Sequence, residues 1–142
     1  MTHNDYPTWL EIDLSAVEQN ARYLIHHTGS ALLAAIKANA YGHGAVEIGK
    51  AALAGGASWL GVARYSEAHT LRQAGITAPI LILGVLTLSE INSAIAEDIT
   101  LALPSLELVD IISAAAGKLN KKANVHMVVD TGMGRLGVLP EQ

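Results

Sequence analysis

Short apolar runs alternate with amphipathic segments from residue 31 onward, and this alternation predicts strands and helices in turn. Unbroken apolar runs of this length are typical of strands buried in a parallel sheet. Several of the amphipathic segments end at glycine, a common helix stop. The predicted strands are 31–36, 59–63, 79–84, 100–103 and 124–130, and the predicted helices between them are 45–54, 66–74, 89–96 and 105–119.

The first thirty residues carry a different pattern. Apolar and polar residues alternate over 9–13, which predicts a short, half-exposed strand. Apolar residues then recur at helical spacing between positions 14 and 25, so a helix is expected there. Asp13 or Ser15 would cap its start, and Gly29 would end it.

Strands and helices that alternate in this way form an α/β fold, with parallel strands joined by right-handed crossovers. The period suits either an open doubly wound sheet or a (β/α)8 barrel. A complete barrel needs eight strands and about 250 residues, whereas this pattern supplies the first five strands only. Unpaired edges on such a sheet invite pairing with other chains, so we expect the chain to associate.

Composition narrows the class of protein. The chain has 142 residues, of which 51% are hydrophobic and 15% charged, and this excludes a disordered tail. The net charge of -4 argues against nucleic acid or an anionic membrane as a partner. There is no cysteine and no histidine pair at zinc-binding spacing, so no metal site is expected. The longest apolar run, 78–88, is too short to span a bilayer, and residues 1–7 lack a secretory pattern. We therefore expect a cytoplasmic protein.

Lys37 directly follows the apolar run of the first predicted strand. Desolvation favours the neutral amine of a lysine, which can attack a carbonyl and form a Schiff base with a substrate or with pyridoxal phosphate. From position alone, a lysine that reaches into water or pairs with a carboxylate is the more ordinary interpretation. Gly42 and Gly44 follow closely and would let the backbone approach a ligand, with the helix start near Ala45 facing an anion.

The sequence from Ile36 to Gly44 reads Ile-Lys-Ala-Asn-Ala-Tyr-Gly-His-Gly. It closely resembles the cofactor attachment motif of alanine racemases, the fold-type III enzymes that depend on pyridoxal phosphate. The resemblance implies that Lys37 attaches the cofactor covalently and that Tyr41 hydrogen-bonds its phosphate. Leu83, at the end of the third predicted strand, matches a family position that packs near the cofactor ring, although a leucine there is equally typical of an ordinary core.

A second segment, 126–137, is predicted to begin as a buried strand and to end in a glycine-rich turn that carries Arg135. Guanidinium binds carboxylate or phosphate through two parallel hydrogen bonds. From the residues alone, an Asp130–Arg135 pair at the surface and a core position for His126 are the more ordinary interpretations. Residues 130–137, however, are a second match to alanine racemases, and this match implies that Arg135 contacts the substrate carboxylate.

One position departs from the family pattern. Many members have a lysine, often carbamylated, two residues before this aspartate, where it helps to hold the arginine. Here the residue is Val128, which cannot supply a negative charge. Either another anion orients Arg135, or the arginine is less firmly held.

The resemblance implies more about the whole protein. It favours the barrel, with residues 1–142 as the amino-terminal part of a barrel domain that continues in family members and is followed by a β-rich domain. This chain would then belong to a larger protein or be a shortened form. The implied reaction is interconversion of L-alanine and D-alanine by a homodimer, which supplies D-alanine for cell-wall synthesis.

In the family, the second catalytic base is a tyrosine from the partner subunit's second domain, beyond the position of Gln142. The chain alone is therefore expected to lack full activity. Two alternatives stay open: a non-catalytic piece that binds pyridoxal phosphate, and a racemase of broader amino-acid specificity, since the two motifs do not encode selectivity for alanine.

Overall fold

The computed structural model describes residues 8–140, which form one parallel sheet and the helices that connect its strands. Residues 1–7, for which the sequence predicts no secretory signal, lie outside the described residues, as do residues 141–142. The elements in chain order are α1 (Leu14–Thr28), β1 (Leu33–Ala35), α2 (Lys37–Tyr41), α3 (Ala45–Ala54), β2 (Trp59–Val62), α4 (Tyr65–Gln73), β3 (Ile80–Ile82), α5 (Leu88–Ala96), β4 (Thr100–Leu103), α6 (Glu107–Lys118) and β5 (Val125–Met127).

The strands lie in the order β1-β2-β3-β4-β5, and every neighbouring pair is parallel. Each crossover between consecutive strands contains a helix, namely α3, α4, α5 or α6. A doubly wound sheet reverses its strand order at a switch point, whereas a barrel adds each new strand beside the previous one. The sequential order therefore excludes the open alternative and confirms the predicted α/β architecture of five adjacent barrel strands.

A contact across the sheet shows that it curves as a barrel wall does. Strand register places Trp59 of β2 and His126 of β5 on the same face. In a flat sheet these strands would lie about 14 Å apart, yet the Trp59 and His126 ring centroids are 5.2 Å apart. The face that carries both rings is therefore the concave side of the sheet.

The core lies between the convex face and the helices. Alternate strand residues such as Leu60, Ile80 and Leu101 are almost wholly buried there and pack with Leu71 and Ile95 of the helices. Burial of one such side chain stabilises the fold by roughly 1.5–3 kcal/mol. The intervening positions face the concave side. In β2, β3 and β4 these positions are also buried or half-buried, as expected for central strands of a parallel sheet.

The opening of the chain partly matches its prediction. Asp13 caps α1 by accepting a hydrogen bond from the Ala16 N–H (3.1 Å), and Gly29 ends the helix in a left-handed conformation, as expected. The predicted strand over 9–13 is wrong, because those residues form no strand. Trp9 and Leu10 are both largely exposed, so the alternation of apolar and polar residues does not correspond to an alternation in burial.

Two strands are less buried than predicted. Leu33 and Ala34 of β1 are half-buried and Ala35 is exposed, while all three residues of β5 are exposed. The prediction that these two strands are buried is wrong, because β1 and β5 are the outer strands of the described sheet, each with one neighbouring strand. Among residues 8–140, no helix has both the length and the hydrophobicity that crossing a bilayer requires.

Candidate active site

Lys37 lies at the carboxyl edge of the sheet. The N–H of Ile36 donates to the Gly61 carbonyl (2.8 Å) and so extends the pairing of β1 by one residue, after which Lys37 begins α2. The Lys37 side chain is half-buried. Within residues 8–140 no carboxylate pairs with the Lys37 ammonium. This part of the chain therefore does not support the more ordinary interpretation that Lys37 forms a structural ion pair.

The backbone after Lys37 makes a left-handed turn that the sequence did not predict. Ala38, Asn39, Ala40 and Tyr41 all have φ between 51° and 55°. The left-handed conformation costs an L-residue roughly 1–2 kcal/mol, because Cβ approaches the following carbonyl oxygen. Four such residues in succession persist only where surrounding contacts fix them. The turn therefore stores strain directly beside the candidate nucleophile.

Several contacts offset this strain. The buried Ala40 donates its N–H to the Ile36 carbonyl (2.8 Å), and the Gly44 N–H donates to the Asn39 carbonyl (3.0 Å). The Asn39 side chain accepts the Ala45 N–H (2.8 Å) and so caps α3 from six residues upstream. The sequence analysis did not predict this capping role of Asn39. The available signal was the residue type, because asparagine tolerates a left-handed conformation and its side chain can cap a helix.

Tyr41 ends this turn and is 61% exposed, so its hydroxyl is free to meet a ligand at the carboxyl edge. Leu83 follows β3 at the same edge and is 40% exposed. A methyl group at Gly61 would lie 2.6 Å from the Leu33 side chain and 3.4 Å from that of Leu83. Glycine at position 61 thus leaves room for the side chains of Leu33 and Leu83, which both lie on the concave face.

Arg135 lies in a closed loop after β5. Asp130 and Val138 join its two ends, since the Asp130 N–H donates to the Val138 carbonyl (2.8 Å). A side chain at Gly137 would come within 2.8 Å of the Asp130 nitrogen and the Val128 carbonyl, so this closure needs glycine. The loop presents Arg135 exposed at the carboxyl edge.

The Asp130 carboxylate does not pair with Arg135. It accepts the N–H groups of Gly132 (2.9 Å) and Gly134 (2.9 Å), and these bonds lower the pKa of the Asp130 carboxyl below its usual value. His126 is exposed, with its ring against Trp59, and is not a core histidine. Both ordinary interpretations from the sequence are therefore wrong, and Asp130 instead shapes the loop backbone.

The structure brings the predicted residues to one edge without joining all of them. Lys37 and Tyr41 share α2, and Leu83 lies on the concave face that β1 also lines. Arg135 follows β5, at the other end of the described sheet. Among residues 8–140, no hydrogen bond or ion pair connects Lys37 with Arg135. Lys37 and Arg135 thus follow the carboxyl ends of the two outer strands of the described sheet.

Comparison with known proteins agrees with this geometry. The family model described as "Alanine racemase, N-terminal domain" matches residues 12–142. The chain belongs to the alanine racemase family. The alanine racemase of Methanococcus maripaludis is 50% identical over 139 residues, which cover 96% of this chain and 37% of that protein.

Solved alanine racemases also share the fold. The enzyme of Clostridium difficile 630 superposes with a TM-score of 0.87 at 37% identity, over 96% of this chain and 37% of that one. The enzyme of a D-cycloserine-producing Streptomyces lavendulae gives a TM-score of 0.85 at 41% identity, over 92% of this chain and 34% of that one. This member of the alanine racemase family thus spans little more than a third of the length of the relatives that it matches.

Proposed function

We propose that this chain supplies the cofactor-attachment part of a pyridoxal-phosphate-dependent alanine racemase, an isomerase that interconverts L-alanine and D-alanine. The observation that carries the proposal is the position of Lys37. It is half-buried at the carboxyl edge, where barrel enzymes build their sites, and no carboxylate among residues 8–140 pairs with it. The match to the alanine racemase family supports the choice of reaction.

The residues present suit pyridoxal phosphate. The amine of Lys37 could condense with the aldehyde of the cofactor. The hydroxyl of the exposed Tyr41, on the same turn, could donate a hydrogen bond to its phosphate. Leu83 offers an apolar side chain for the pyridine ring. When bound, the cofactor supplies an electron sink for the charge that develops at Cα of the amino acid.

The remaining steps belong to side chains of the protein. Arg135 binds the substrate carboxylate, because a guanidinium always carries its charge and can donate two parallel hydrogen bonds. Lys37, once its amine is released by the incoming substrate, takes or returns the Cα proton on one face. Inversion requires a second proton-transfer group on the opposite face, and we assign none of residues 8–140 to it.

We extend the proposal to the setting of the enzyme. A homodimer would bring a second base from the partner subunit, as the resemblance implies. We place the activity in the cytoplasm, where it would supply D-alanine for cell-wall synthesis. The family match supports these statements as expectations, and cell fractionation together with D-alanine auxotrophy of a deletion strain tests them.

To test this proposal, pyridoxal phosphate is added to the chain, and the absorbance change that accompanies its condensation with an amine is followed. Lys37→Ala should abolish the change, whereas Lys50→Ala, which removes a surface lysine near Glu47, should leave it intact. D-alanine formation from L-alanine is then assayed, with serine and valine as test substrates for broader specificity. Capture with D-alanine formation supports the racemase, and capture without it supports a binding piece. Absence of capture by the unaltered chain contradicts the proposal.

A further inference from the structure

Glu67 connects two strand ends through one carboxylate. Its Oε2 accepts the N–H groups of Ala63 (2.7 Å) and Arg64 (3.0 Å), which directly follow β2. Its Oε1 accepts the N–H of Ala38 (2.6 Å), the residue after Lys37. Glu67 is the third residue of α4, a position from which glutamate commonly reaches back to the start of its own helix. Only Oε2 has that common role, whereas Oε1 reaches Ala38 in the turn that follows β1.

The contact with Ala38 falls where the backbone most needs support. Ala38 is the first of the four successive residues in the left-handed conformation. Its bond to Glu67 is short and has a charged acceptor, which makes it stronger than an ordinary backbone hydrogen bond. Among residues 8–140, the other hydrogen bonds of residues 38–41 have partners within the segment 36–45. The Glu67 bond therefore adds a hydrogen bond between this turn and the segment after β2, beside the packing of the buried Ala40 in the core.

We propose that Glu67 is a positioning residue for Lys37: it fixes the strained turn of α2 against the end of β2, so that the lysine is held ready to condense with pyridoxal phosphate. This inference rests on the proposed function for its chemical consequence. The hydrogen bond from the Ala38 N–H to the Glu67 carboxylate does not depend on the cofactor, so this part of the proposal can be tested without it.

The chain offers a matched control in Glu90. Glu90 is also the third residue of its helix, α5, and accepts the Thr87 N–H (2.8 Å) and the Thr87 hydroxyl (2.8 Å). Within residues 8–140, its hydrogen bonds remain at the start of α5. Glutamine retains one acceptor oxygen and can still cap a helix. Glu67→Gln therefore keeps the cap but presents an NH2 group to the Ala38 N–H, while Glu90→Gln tests the same change without the second contact.

The experiment measures two quantities in the unaltered chain and both variants. Hydrogen exchange followed by NMR reports the Ala38 amide. Borohydride trapping after timed exposure to pyridoxal phosphate, followed by peptide mass analysis, reports the labelling rate of Lys37. We expect Glu67→Gln to speed Ala38 exchange about tenfold, the effect of losing one hydrogen bond to a charged group, and to slow Lys37 labelling severalfold. Glu90→Gln should change neither.

Unchanged Ala38 exchange in Glu67→Gln, or equal effects of both variants, would overturn the inference. An unchanged rate of Lys37 labelling in Glu67→Gln would also overturn the inference, provided that the unaltered chain becomes labelled. If the unaltered chain takes up no pyridoxal phosphate, the proposed function fails and the Ala38 exchange alone decides the role of Glu67. If Glu67→Gln loses protection throughout the sheet, Glu67→Asp, which keeps the charge but shortens the reach, is the second variant. Uniform loss in that variant too would overturn the inference, since Glu67 would then support the whole fold.

Discussion

At the scale of single residues, Asp130 controls the loop that carries Arg135. Hydrogen bonds from the N–H groups of Gly132 and Gly134 favour the charged carboxylate and lower its pKa in the folded chain. Since the folded pKa lies below the unfolded one, the loop gains stability from Asp130 that is complete above about pH 4 and is lost as pH falls through the lowered value. An NMR titration of the Asp130 carboxyl should therefore give a midpoint below about 3.9.

Asp130→Asn provides the corresponding variant, because an amide loses the charge that strengthens both bonds. The Gly134 amide should exchange faster in this variant at pH 6, and the affinity of Arg135 for carboxylates should fall. A titration midpoint at or above that of an ordinary aspartate would contradict this account of the loop.

At the scale of elements, the sequence predicted the five strands and the connecting helices because each depends on a local pattern. Helix α3 has the predicted bounds, and β4 does as well. The left-handed turn of α2 escaped prediction because alanine and tyrosine carry no local signal for positive φ. Its conformation depends on a residue nearly thirty positions away, Glu67, and on the capping side chain of Asn39. For the same reason, the sequence could single out Lys37 as the candidate attachment residue but could not predict the backbone conformation that follows it.

The strain of this turn gives an element-scale prediction. Gly42 follows α2 with φ of +91°, a conformation that is unfavourable for a residue with a Cβ atom. We therefore expect Gly42→Ala to lower the free energy of unfolding by roughly 1 kcal/mol. Gly117 in the last turn of α6 has open space around it, so Gly117→Ala should raise the free energy of unfolding by roughly 0.5 kcal/mol. Urea unfolding measures both. Changes of the same sign would contradict the interpretation.

At the scale of the whole molecule, the exposed outer strand predicts association. Val125 and Met127 of β5 are apolar and exposed, and Val129 continues the apolar surface beyond the strand. An open edge of this kind pairs readily with other chains. Sedimentation should therefore show dimers or larger species as concentration rises. Met127→Lys should weaken this association, whereas Val85→Lys, which charges a loop after β3, should not. A monomer at every concentration would contradict the prediction.

The proposed role of Lys37 can be tested by identifying the lysine that reacts with pyridoxal phosphate. The chain is incubated with pyridoxal phosphate, reduced with borohydride, digested and mapped by mass spectrometry. We expect the label on Lys37, the half-buried lysine beside the left-handed turn, and little of it on Lys50, Lys118, Lys121 and Lys122. A label spread evenly over all five lysines, or absent from Lys37, would rule out Lys37 as the specific attachment residue.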